Sequence, residues 1–175
     1  MEEAGKVPTK AGNVSQKKRA PRDPAGRKQV IINAAAAIIS REGSGRITNR
    51  RVAEEAHVPL GSTTQYFKSI DELRRAGLAE LARRLNEEYD KFFSIAEQKA
   101  WTSEQLADAI SDYLSDAKRV RADAALCAAA IDDPEVRDIM KRTYDAFIER
   151  CASCMDPQRA KILYAFIEGI VIDSY

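Results

Sequence analysis

Residues 47–73 read ITNRRVAEEAHVPLGSTTQYFKSIDEL, and no other stretch constrains the fold as much. Two short runs of helical period meet at a tight turn around His57. The first opens on Thr48, a residue suited to cap a helix, and turns Val52 and Ala53 inward. The second, over 60–67, is dense in small hydroxyl and amide side chains, and Ser69 then opens a new helix. Two short helices joined in this way make a helix-turn-helix.

From Arg27 onward no alternating pattern is long enough for a strand, and most of the six prolines and eight glycines sit at joints. The spacing predicts a first helix over 26–41. In it Val30, Ile31, Ala34, Ala35, Ile38 and Ile39 recur at three- and four-residue intervals, with Gly43 as terminator. Ser69-Ile70-Asp71-Glu72 reads as a capping box for a fourth helix reaching residue 97. Thr102-Ser103-Glu104-Gln105 reads as a second box, opening a helix with Leu106, Ile110, Tyr113, Leu114 and Ala117 on one face. An alanine-rich segment follows over 122–131. Asp133-Pro134 and Asp156-Pro157 each set a cap before a proline suited to the first helical position, and open helices over 134–153 and 157–175. The expectation is an all-α chain of eight helices. A disordered basic arm occupies 1–25, a three-helix helix-turn-helix domain 26–70, and a larger helical domain 71–175.

The net charge of +1 conceals an asymmetry. Residues 1–70 carry 13 Lys and Arg against 6 Asp and Glu, a net of +7, and residues 71–175 carry 15 against 21, a net of −6. A basic front on an acidic rear suits a polyanion held at one end. No apolar run approaches the ~18 residues that span a bilayer, so no membrane partner is expected. The N-terminus lacks a hydrophobic stretch resembling a signal peptide. Three cysteines at unframed positions suit a reduced, cytoplasmic setting.

DNA offers phosphates along its edges and a donor and acceptor code in a major groove that admits one helix. A helix reading that groove needs small side chains where its backbone approaches; Gly61, Ser62, Thr63 and Thr64 supply such a tip, and Leu60 beside them joins the candidate DNA-binding residues. Base edges call for an amide or a guanidinium, which Gln65 and Arg50 provide. A bidentate pair of this kind discriminates by about 1–3 kcal/mol. Thr48, Asn49, Ser62, Tyr66 and Lys68 fit phosphate contacts. Eight Lys or Arg within residues 1–28 allow the arm to track phosphates, or to act as a solubilising tail.

Residues 27–75 resemble the DNA-binding domain of the TetR (tetracycline-repressor) family of bacterial regulators. The matching pieces are Ala34-Ala35, Gly43, Ile47-Thr48, Val52-Ala53, Ala56, Val58, Gly61, Phe67 and Leu73, in order and without a gap. The departures are His57 where the family usually has glycine, Thr64 for a frequent tyrosine, and Gln65 and Tyr66 where an aromatic and a histidine are common. Ile70 stands for the usual lysine, with Lys68 nearby as its substitute. A His57 at that turn is expected to take a positive φ, at about 1 kcal/mol. The resemblance implies a ligand-binding and dimerisation domain behind the head. It also implies a homodimer that binds a palindromic operator as a repressor and is released by a small molecule. An activator, or a DNA-binding protein insensitive to ligand, stays open beside it.

Within the rear domain Tyr89, Phe92, Phe93, Trp101, Tyr113, Tyr144 and Phe147 fall on different helices. Their convergence gives either a packed core or a pocket for an apolar or aromatic effector, with Cys127, Ile131 and Met140 as adaptable walls. The last helix leaves little polar surface. Leu163, Phe166, Ile167, Gly169 and Ile170 are therefore expected to meet a twin as well as the core. Cys151 and Cys154 share a helical face but lack further ligands for a metal and read as structural. With one histidine and no convergent ionisable set, neither an enzyme nor a cofactor is expected.

Overall fold

The computed structural model describes residues 23–99, 102–152 and 155–173, and its regular structure is helical throughout. Eight α-helices appear among these residues: α1 (Pro24–Glu42), α2 (Asn49–Glu55), α3 (Leu60–Tyr66), α4 (Ile70–Lys99), α5 (Ser103–Ser115), α6 (Ala117–Asp132), α7 (Pro134–Cys151) and α8 (Pro157–Asp173). A 3-10 turn at Ser44–Arg46 joins α1 to α2.

Most helix starts are set by side chains that satisfy amides with no intrahelical partner. The Asp23 carboxylate accepts from the Gly26 amide at 3.0 Å, with Pro24 as the first helical residue. Helix α1 thus starts two residues before the expected Gly26 and takes the end of the presumed arm. The remainder of that arm lies outside the described residues. Thr48 accepts from the Arg51 amide at 3.2 Å, and Thr102 and Gln105 form the expected reciprocal box at 3.3 and 3.0 Å. The Ser69 box is shifted: its hydroxyl accepts from the Glu72 amide at 3.0 Å, but the Glu72 carboxylate reaches back to the Lys68 amide at 2.7 Å.

A further boundary differs from expectation. Ala117 does not extend α5; the chain turns at Asp116, whose carboxylate accepts from the amides of Lys118 and Arg119 at 2.9 and 3.3 Å. The alanine-rich segment is thereby the inner part of a full helix, α6. Two described residues have left-handed φ, Gly43 at 86° and His57 at 52°, as their placement after α1 and α2 requires.

Helix α1 buries Ile31, Ala34, Ala35, Ile38 and Ile39, while Val30, expected on the same face, is 46% exposed at its edge. The facing surface belongs to α4. At Gly77 a Cβ would lie 2.9 Å from Ile39 Cδ1 and 3.1 Å from Ala35 Cβ, so any larger residue there requires the facing side chains or α1 itself to shift. Beside the crossing, buried Glu80 accepts from Arg83 and Arg84 at 2.8 Å each, and Arg84 also donates to Asn33 of α1 at 2.9 Å. The Arg83 guanidinium, with Arg84, holds the Glu80 carboxyl down at about 2.

Helix α4 is 30 residues long and spans about 45 Å. Its first half packs against α1, on which α2 and α3 are mounted in turn, and its second half joins a bundle with α5–α8. Arg75 ties the two parts together by pairing with Asp133 at 2.8 Å and Glu135 at 2.7 Å, at the start of α7. Gly77→Val should lower the unfolding free energy by about 1–3 kcal/mol, read as a reduced denaturant midpoint. A midpoint equal to wild type would contradict the close crossing.

Candidate nucleic-acid interface and interior cavity

Helices α2 and α3 are seven residues each and meet around buried Val52, Ala53 and Ala56. The turn between them is closed by the His57 amide donating to the Glu54 carbonyl at 3.2 Å and the Val58 amide to the Ala53 carbonyl at 3.0 Å. Helix α3 then presents Leu60, Gly61, Thr64 and Gln65 outward, with Tyr66 half-buried and Lys68 exposed just beyond. A Cβ at Gly61 would meet nothing within 4 Å, so the backbone is bare there.

Two residues of the expected tip face the other way. Thr63 is fully buried and its hydroxyl donates to the Leu60 carbonyl at 2.8 Å; Ser62 is 7% exposed. Both are covered by the head, because 62 and 63 lie on the inner side of this helix of about two turns. On α2, Arg50 is exposed and paired with Glu54 at 2.9 Å, so contact with a base requires an exchange of partners. Asn49 is half-buried. Thr48 accepts from an amide and keeps its own hydroxyl proton to donate. Lys28, on α1, places its ammonium 5.5 Å from the centre of the Phe67 ring and adds a cation beside the end of α3.

In the rear bundle, five of the aromatic residues converge as expected. Tyr89, Phe92, Phe93, Tyr113 and Phe147 border a cavity of about 250 Å³ among α4, α5, α7 and α8. Edge-on contacts link them: Tyr89 to Phe147 at 5.2 Å, Phe93 to Phe147 at 5.4 Å, and Phe92 to Phe93 at 5.2 Å. Leu106, Ile110, Met155, Leu163 and Ile167 add further apolar wall, and Glu88, Lys91, Asp112 and Arg119 give it a charged edge. Leu106 and Ile110 were legible as one helical face, but nothing in the sequence sets a core face apart from a cavity wall.

Four expected wall residues do not line it. Ile131 is 71% exposed near the end of α6. Cys127 faces α8 and donates its thiol to Glu168 at 2.8 Å. Tyr144 packs edge-on against Tyr164 at 4.9 Å, and Met140 lies partly buried against the core away from the cavity. Trp101 and Cys154 lie outside the described residues, whereas Cys151 is fully buried. On α8, Leu163 and Ile167 turn to the cavity rather than outward, with Ile170 half-buried; Phe166 is 59% exposed and Gly169 opens to space. Among the described residues, no group of three or more acidic, histidine or cysteine side chains could hold a metal ion, and no helix is long and apolar enough to cross a membrane.

The cavity's polar edge is built around Arg119. Arg119 pairs with Glu88 of α4 at 3.1 Å and with Asp116 at 3.3 Å, its guanidinium 5.8 Å from the Tyr113 ring. Behind Tyr113, the phenol donates to Asp123, which is 2% exposed on α6. Burial pushes the Asp123 carboxyl up to about 7, against the lowering effect of the Tyr113 hydrogen bond. Burial likewise raises the phenols of Tyr89 and Tyr113 and the Cys127 thiol.

An acid raised in the folded state adds stability in full below its unfolded pKa near 4 and loses it as pH climbs to about 7. Asp123→Asn should flatten that decline, so that the variant gains on wild type between pH 4 and 8 by up to a few kcal/mol. Denaturation curves at several pH values measure this, and parallel profiles for the two proteins would sink it.

A family model described as Tetracyclin repressor-like, C-terminal domain, matches residues 97–175. Over 137 residues the chain is 28% identical to the uncharacterized HTH-type transcriptional regulator YfiR of Bacillus subtilis (strain 168), covering 71% of this chain and 61% of that one. It thus spans less than two thirds of that relative's length. Among solved structures, a member of the TetR family from Streptomyces coelicolor A3, SCO1917, is 30% identical with a TM-score of 0.65, over 82% of this chain and 83% of that chain. The multidrug binding protein EbrR, complexed with proflavin, is 30% identical with a TM-score of 0.67, over 84% and 87%.

Proposed function

We propose that this chain, which belongs to the TetR family of transcriptional regulators, is a cytoplasmic, homodimeric repressor that a small aromatic ligand releases from a palindromic operator. The head is assigned to residues 26–70 and the ligand-binding and dimerisation domain to residues 71–175. The observation that carries the reading is the outward side of α3, where Leu60, Gly61, Thr64 and Gln65 are exposed around a bare backbone. Two such helices, one from each protomer, would enter major grooves about 34 Å apart. Thr48, Asn49, Tyr66 and Lys68 would hold phosphates, while Gln65 and Arg50 read bases.

The twin is assigned to the outer side of α8. Ile162, Phe166 and Ile172 are each about 60% exposed there, around Gly169. An apolar stripe of this kind suits burial against a second copy.

The ligand is assigned to the aromatic cavity. EbrR, described in complexes with proflavin and with ethidium, supports an aromatic occupant, since both of those molecules are flat and aromatic. Helix α4 contributes Tyr89, Phe92 and Phe93 to the cavity and Gly77 to the crossing with α1. An occupant that favours one tilt of α4 would therefore shift the head, and only to the extent of that preference.

Gly61→Ala is the sharpest test of the reading face. The added methyl meets nothing, so stability should hold or rise by up to about 1 kcal/mol. Affinity for an operator selected from a random DNA pool should fall at least tenfold, and Gln65→Ala and Arg50→Ala should also weaken it. Wild-type affinity in all three would show that the assigned face does not read DNA. Phe166→Asp should shift the sedimenting species from dimer to monomer and weaken operator binding with it; a persistent dimer would move the interface elsewhere.

A further inference from the structure

A second hollow of about 490 Å³ lies where α1, α4 and the start of α6 meet. Its floor is apolar, built from Ala36, Ala37, Leu81, Leu85 and Ala122. Ser40 adds an aliphatic hydroxyl to that floor.

Five cations and three acids line the same cleft, and their pairing leaves an excess. Arg41 is engaged by Glu42 and Glu55 at 3.1 and 3.0 Å, Arg84 by Glu80 at 2.8 Å, and Arg119 by Glu88 and Asp116 at 3.1 and 3.3 Å. Lys118 and Arg121 are exposed and enter no ion pair among the described residues. The third acid, Asp123, is the buried partner of Tyr113, and an anion arriving nearby would favour its neutral form further. The rim is thus positive over an apolar floor that holds a hydroxyl.

We infer that this cleft is a second ligand site, separate from the aromatic cavity, for a small organic monoanion with a short apolar body. Lys118 and Arg121 take the charged end, Ser40 donates or accepts inside, and the alanines and leucines cover the apolar body. Glu88, Tyr113 and Arg119 line both hollows and form the wall between them. An occupant would touch α1 and α6 at once, and so would bear on how the front helices sit against the rear bundle. The site stands whether or not the aromatic cavity binds a ligand.

The test uses hexanoate, titrated calorimetrically into the full chain. One site per chain is expected, with affinity falling as salt rises. The double variant Lys118→Gln/Arg121→Gln alters exposed groups, so it should fold like wild type and bind hexanoate at least tenfold more weakly. Hexanol, with the same body and no charge, should be weaker by a similar factor. Ala37→Trp, which fills the cleft, should abolish binding, and Leu106→Trp, which fills the aromatic cavity, should leave it within twofold. The inference is overturned by the absence of saturable binding, by equal affinity in the double variant, or by loss in Leu106→Trp with retention in Ala37→Trp.

Discussion

The close crossing of α1 and α4 is the contact on which the other parts depend. It brings Gly77 against Ala35 and Ile39, and it is fastened on one flank by Glu80, Arg84 and Asn33. Helices α2 and α3 have nothing to pack on until α1 is fixed, and α1 is fixed chiefly by α4. The charge network at Glu80 adds orientation more than energy: a buried carboxylate with two guanidinium partners mainly offsets its own desolvation. The crossing therefore combines an apolar contact that supplies stability with a polar one that sets the angle.

The same helix reaches the rear bundle, where its aromatic side chains stand among α5, α7 and α8. A rigid rod shared by two layers leaves few independent ways for them to move. The Arg75 pairing to the cap of α7 restricts the choice further. Any rearrangement of the rear bundle that displaces α4 must act on the crossing, on that pairing, or on both.

Much of this was legible in the sequence because helix starts are written in single residues. Thr48, Thr102, Asp133 and Asp156 each cap where the pattern placed them. Asp116 was missed because Ala117 continues the apolar spacing of Leu106, Ile110 and Tyr113, and periodicity alone does not register a break that a carboxylate makes. The inner and outer sides of α3 were also hidden. In a helix of seven residues, Ser62 and Thr63 carry the same small polar side chains as Thr64, and only packing against α2 and the rest of the head decides which are covered. On α8 both sides are apolar, so its sequence could not say that Leu163 and Ile167 turn to the cavity while Phe166 turns away. Ile131 was misplaced because an apolar residue at a helix end is indistinguishable by type from one in the bundle interior.

The brevity of α2 and α3 has a consequence for how separable the front of the molecule is. Isolated helices below roughly 12 residues are marginal in water, and these two have seven each. Residues 47–67 are therefore a surface motif without a core of their own. The smallest portable module must include α1 and α4 as far as Arg84, that is, the crossing together with its polar flank. Grafting the motif alone onto another scaffold would transfer its letters without its shape.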